Sequence, residues 1–67
     1  MINSYKVGDL IFYDGEIGRY FYGTILSVSI DEIKYYVFMT ILNTNSEVVR
    51  LNLDEFAMKQ WTTKNKR

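Results

Sequence analysis

Short, evenly spaced turn signals leave this chain little room for a helix of ordinary length. Asp14-Gly15-Glu16-Ile17-Gly18, Asp31-Glu32 and Asn43-Thr44-Asn45-Ser46 carry the Gly, Asp, Asn and Ser residues that tight turns favour. The runs between them are rich in β-branched and aromatic residues, and no segment longer than about ten residues shows the i, i+3, i+4 apolar stripe of a helix. Eleven of the 67 residues are Phe, Tyr or Trp, side chains that suit a pleated surface. The pattern predicts four strands, over roughly residues 9–13, 20–30, 34–42 and 47–53. Beyond them, Asp54-Glu55-Phe56 reads as one 3₁₀ turn with Asp54 as its cap. Residues 57–61 read as a short fifth strand that closes the fold, and residues 62–67 as a polar, basic, frayed tail. The expectation is one all-β domain over residues 1–61, followed by that tail.

Alternation along the strands says which residues face inward. Val49, Leu51 and Leu53 share one face of the fourth strand, and Val48, Arg50 and Asn52 share the other. In the second strand Ile25 has odd parity and Leu26, Val28 and Ile30 have even parity, so a β-bulge near Leu26 or Ser27 is needed to turn both Ile25 and Val28 inward. Gly23 marks a point where that strand can bend or another backbone can come close. The third strand is apolar on both faces: Tyr35, Val37, Met39 and Ile41 form one set, and Tyr36, Phe38 and Leu42 the other. A domain this small has one interior to fill, so the second face is expected to lie under the tail or a loop, in a homodimer interface, or against a partner.

Composition removes several classes of chemistry. The chain has no Cys and no His, which excludes a disulfide framework, a thiolate zinc site, a Cys nucleophile and every His-based triad. Hydrophobic residues are 48% of the total, too many for a disordered chain. No apolar run approaches the roughly 20 residues that span a bilayer, and the first six residues lack the basic start and apolar core of a signal peptide, so a cytoplasmic location is expected. Ile, Asn, Lys and Tyr are abundant and Pro is absent, a bias that suits an AT-rich genome such as that of a low-GC bacterium, a plasmid or a phage. Net charge is zero but uneven: residues 1–58 hold four cations against eight acids, and residues 59–67 hold four cations alone. An acidic body repels phosphate, and four terminal cations would support only weak, salt-sensitive nucleic-acid binding.

Val7-Gly8-Asp9-Leu10 entering the first strand, Gly23-Thr24-Ile25-Leu26-Ser27-Val28 in the second, Val48-Val49-Arg50-Leu51 in the fourth and Leu53-Asp54-Glu55-Phe56 at the 3₁₀ turn follow one another in a familiar order. Over residues 6–61 that order resembles the SH3-like small barrels, among them Tudor and KOW domains. The resemblance implies a five-stranded barrel and carries no activity with it, because such barrels host many unrelated functions. KOW-type nucleic-acid binders carry basic residues in the first loop, where this chain has Asp14 and Glu16. Tudor domains hold methylated Lys or Arg in an aromatic cage, for which Tyr13, Tyr20, Tyr22, Tyr36 and Phe38 are the candidates here.

The remaining motifs read as local structure. Gly15-Glu16-Ile17-Gly18 has the G-x-x-G spacing of a KH backbone clamp but lacks its helices and basic residues, so it reads as a hairpin loop. The pairs Asp14/Glu16, Asp31/Glu32 and Asp54/Glu55 all fall at turns, and neither a hydrolase geometry nor a metal-binding spacing is present. Ser27 and Ser29 have no base partner. Trp61 is expected to seal the bottom of the core. The reading is a non-enzymatic protein-binding module without cofactor or metal, with a homodimer as one expected arrangement. Its contact surface combines Tyr13, Glu16, Arg19, Tyr20, Tyr22, Tyr36 and Phe38. For a phage or mobile element, the simplest role is an inhibitor or modulator of a host protein. The alternative is a nucleic-acid-binding barrel that stacks bases on the rings and anchors phosphates with Arg19, Lys34, Arg50 and the basic tail.

Overall fold

The computed structural model describes residues 5–64. Five strands, β1 (Leu10–Gly15), β2 (Gly18–Asp31), β3 (Tyr36–Asn43), β4 (Val48–Leu53) and β5 (Trp61–Lys64), form one antiparallel sheet in the order β4-β3-β2-β1-β5. The all-β expectation therefore holds. The ladders leave β4 and β5 at the two edges, so the sheet is open in its hydrogen bonding rather than closed into a barrel. Among the described residues no helix is long and apolar enough to cross a membrane.

Each turn forms for a local reason. Gly15 pairs with Gly18 around Glu16-Ile17, and Gly18 takes the left-handed φ of 127° that a tight β1–β2 hairpin needs. The Asp31 carboxylate accepts the amides of Ile33 and Lys34, both at 3.1 Å, and Tyr35 takes φ 56°. These contacts hold Lys34 and Tyr35 in the turn, so β3 starts at Tyr36, two residues later than the alternation suggests. The side-chain oxygen of Asn43 accepts the amides of Asn45 and Glu47, each at 2.9 Å, and this closes the β3–β4 turn.

Two expectations at the C-terminal end are corrected. The 3₁₀ turn spans Ala57–Lys59 rather than residues 54–56, because Asp54 precedes the turn and caps it: its carboxylate accepts the Ala57 amide at 2.8 Å. With Ala57–Lys59 wound into that turn, the fifth strand begins at Trp61. It runs to Lys64 against β1, with Trp61 opposite Tyr13 and Lys64 opposite Leu10. Thr62, Thr63 and Lys64 thus belong to the sheet and not to a frayed tail, and the folded unit extends past residue 61. Lys66 and Arg67, read as part of the basic tail, lie outside the described residues, as do residues 1–4 of the segment tested for a signal peptide.

The long β2 joins the two halves of the sheet. Its first part pairs with β1 and its second with β3, and Gly23, Thr24 and Ile25 lie where these ladders meet. A Cβ on Gly23 would collide with the Leu42 carbonyl oxygen and come within 2.6 Å of Ile41 Cγ2. Two bulges bend the strand. One leaves Leu26 unpaired between the Ile25–Ile41 and Ser27–Thr40 pairs, as the parity conflict requires. The other, unforeseen from the sequence, leaves Tyr22 unpaired between the Gly23–Ile11 and Phe21–Phe12 pairs.

The core lies on the concave side, where Tyr5, Ile11, Ile25, Val37, Met39, Ile41 and Leu53 are buried and Tyr22, Val28, Leu51, Ala57, Met58 and Trp61 pack around them. Burying each large apolar side chain contributes roughly 1.5–3 kcal/mol. Val37, Met39 and Ile41 come from one face of β3 and Leu51 and Leu53 from one face of β4, as alternation predicts. Trp61 packs at the rim of this core.

Candidate functional site

The seven residues expected to form one contact surface fall into separate groups. Tyr13, Tyr20 and Tyr22 gather with Trp61 at the β1–β2 end: Tyr13 lies 4.9 Å from Trp61 and 5.6 Å from Tyr20 between ring centroids, and Tyr22 meets Trp61 edge-on at 4.8 Å. Tyr13 and Tyr22 are half-buried in this cluster, Tyr22 packs against the core, and Tyr20 is exposed. Glu16 is exposed in the hairpin turn. Arg19 lies on the opposite side of the hairpin, 4.3 Å above the Phe12 ring and 3.9 Å from the Asp14 carboxylate. That ion pair is solvent-screened and worth at most about 1 kcal/mol.

Tyr36 and Phe38 form the second ring group, stacked on β3 at 5.3 Å with 12° between their planes. A five-ring aromatic cage is therefore not assembled: two of the candidate rings stack on each other, Tyr13 and Tyr22 pack on Trp61, and Tyr20 packs on Tyr13. The cations invoked for phosphate anchoring are scattered too, with Arg19 on the hairpin, Lys34 in the β2–β3 turn and Arg50 on β4.

Register sets polar neighbours that the alternation did not place there beside the second apolar face of β3. On the convex face, Ser27 pairs with Thr40, which pairs with Arg50; Ser29 pairs with Phe38, which pairs with Asn52. The six side chains form two parallel rows across three strands, spaced about 4.8 Å between strands and nearly 7 Å along them. They line a shallow groove of about 490 Å³. The Leu42–Val48 pair continues the grid on one side and Tyr36 on the other. Phe38 and Leu42 are 42% and 39% exposed and Val48 is 65% exposed, so this second apolar face of β3 is open to solvent among the described residues.

Polar groups in the groove are only partly engaged. Ser27 Oγ and Thr40 Oγ1 share a 2.5 Å hydrogen bond, which leaves one hydroxyl hydrogen of the pair to point outward. Arg50 makes no ion pair among the described residues. Asp31 Oδ1 accepts its turn amides and Glu47 Oε1 accepts the Asn43 side-chain amide at 3.2 Å, and neither carboxylate pairs with Arg50. The parity of Val48, Arg50 and Asn52 was the available signal for this site. The missing piece was the register that sets them beside Ser27, Ser29 and Phe38.

Among the described residues no group of three or more carboxylates gathers to hold a metal ion. Compared with known proteins, the chain matches no family model, no curated protein and no solved structure.

Proposed function

We propose that this chain is a small, non-catalytic protein-binding module of SH3-like barrel architecture, and that it binds through the convex face of β2, β3 and β4. The architectural reading is supported by the strand order β4-β3-β2-β1-β5, by a bent β2 shared between both halves of the sheet, and by a 3₁₀ turn leading into β5. The single observation that carries the functional reading is the solvent-exposed second face of β3, where Phe38 and Leu42 sit with Val48 around a polar groove. Rigid rings and aliphatic side chains beside an arginine have the composition of an interface core.

A non-catalytic role is supported by the absence of Cys and His and by turn carboxylates that accept backbone amides two and three residues on. In a phage- or plasmid-borne chain, the partner would be a host protein that it inhibits or modulates. A tagged pull-down from a lysate of the source organism or its host, with and without nuclease, tests the reading. A stoichiometric protein partner that survives nuclease is expected; recovery that collapses with nuclease would replace protein binding with nucleic-acid binding.

A further inference from the structure

The convex groove carries one positive charge and no negative one among the described residues. Arg50 brings five N–H donors, Asn52 brings two, and the Ser27–Thr40 pair and Ser29 each offer a hydroxyl hydrogen. No carboxylate lines the groove among the described residues. A guanidinium without an ion pair among the described residues, set amid neutral hydroxyl and amide groups, matches a planar anion that can accept two parallel N–H bonds. Apolar ground lies on both sides, with Leu42 and Val48 along one edge and the stacked Phe38 and Tyr36 along the other.

We infer that the groove receives a carboxylate side chain of the partner, held by Arg50 and flanked by apolar residues that rest on Leu42–Val48 and on Phe38. This rests on the protein-binding reading and adds the chemistry of the residue recognised. A single carboxylate fits better than a nucleic-acid strand for two reasons. Residues 1–58 carry eight acids against four cations, which penalises a polyanion more than one charge. Arg50 is also the only cation lining the groove among the described residues, so successive phosphates would find no second counter-charge there. Residues two apart in an extended peptide are spaced by nearly 7 Å, the spacing of the rows along β3 and β4. An apolar-x-acidic-x-apolar segment therefore matches the face row by row.

The test is a ¹⁵N-correlation titration of the full chain with the capped pentapeptide Leu-Ser-Glu-Ser-Phe, its Gln counterpart and oligothymidylate. The Glu peptide is expected to give saturable shifts at the Arg50 Nε–H and at the amides of Thr40, Phe38 and Asn52. The Gln peptide should bind at least about tenfold more weakly, the loss of one charge-assisted contact. Arg50→Gln, an exposed edge-strand change that keeps the fold, should abolish the discrimination, and Arg50→Lys should restore only part of it. Equal binding of the two peptides, shifts confined to residues 13–22, or tighter binding of oligothymidylate at the same residues would overturn the inference. A face that takes neither peptide, while the chain still captures a nuclease-resistant protein, overturns it and leaves the broader reading standing.

Discussion

The Tyr5 hydroxyl donates to the Trp61 carbonyl oxygen at 2.8 Å, joining positions 56 apart in the chain. It also lies 3.3 Å from the Met58 carbonyl oxygen, so one buried phenol ties the start of the described chain to the segment that leads into β5. Burial, with Tyr35 adding to it, pushes the Tyr5 pKa up to about 12 from its ordinary 10. The neutral phenol is thus favoured in the folded chain. The unfolded chain releases this proton near pH 10 and the folded one near 12, so the contribution is complete below pH 10 and is lost as pH rises from 10 to 12. Urea denaturation should show an alkaline fall in stability over that window, and Tyr5→Phe should flatten it. At pH 7 the same change should cost about 1 kcal/mol for the lost hydrogen bond.

The bulge at Leu26 predicts opposite outcomes for adjacent residues. Ile25 is 1% exposed and Leu26 is 42% exposed. Ile25→Ala should cost about 3 kcal/mol through the cavity it leaves, and Leu26→Ala under about 1 kcal/mol. Chemical denaturation of the two variants checks this. Similar losses would mean that Leu26 is packed and that the ladder does not slip there.

Gly23 is set by close approach rather than by backbone angle. Its absent Cβ leaves room for the Leu42 carbonyl and the Ile41 side chain, so Gly23→Ala should cost about 2–3 kcal/mol or more. Gly8 is the contrasting case, with φ 91° and open space within 4 Å of where a methyl group would sit. Gly8→Ala should cost only its backbone strain, about 1–2 kcal/mol. Thermal denaturation should rank the two in that order.

How much of this was legible in the sequence depends on where alternation was interrupted. In β4 the run from Val48 to Leu53 alternates cleanly, and its buried face follows directly. The Leu26 bulge was readable because Ile25 and Val28 have conflicting parity and both are apolar. The Tyr22 bulge was not, because Tyr20, Phe21 and Tyr22 are all aromatic and leave no alternation to break. Asp54 suits the first residue of a 3₁₀ turn and its preceding cap equally well, so its composition could not place the turn to better than three residues. The abundance of rings was plain, but their division into a Trp61 cluster and a Tyr36–Phe38 stack follows from strand pairing. The same holds for the groove, where Ser27 and Arg50 meet across Thr40 only once both registers are known.

The two ring groups also differ in what they do for the fold. Tyr36 and Phe38 stack on an exposed face, where a ring pair contributes about 0.5–1.5 kcal/mol. Tyr22 and Trp61 pack against the core. Phe38→Ala should therefore stay folded with a loss near 1 kcal/mol, whereas Trp61→Ala should lose about 3 kcal/mol or more. Circular dichroism with urea titration separates the two.

The most direct test of the proposed face is quantitative capture of the nuclease-resistant partner by wild type, Phe38→Ala and Tyr20→Ala, each first shown to be folded. Phe38 lies in the convex groove, and Tyr20 is an exposed ring at the β1–β2 end. Capture should fall at least about tenfold for Phe38→Ala, as for an interface hot spot, and remain at the wild-type level for Tyr20→Ala. Full capture by Phe38→Ala with loss in Tyr20→Ala would place binding at the hairpin end and contradict the account.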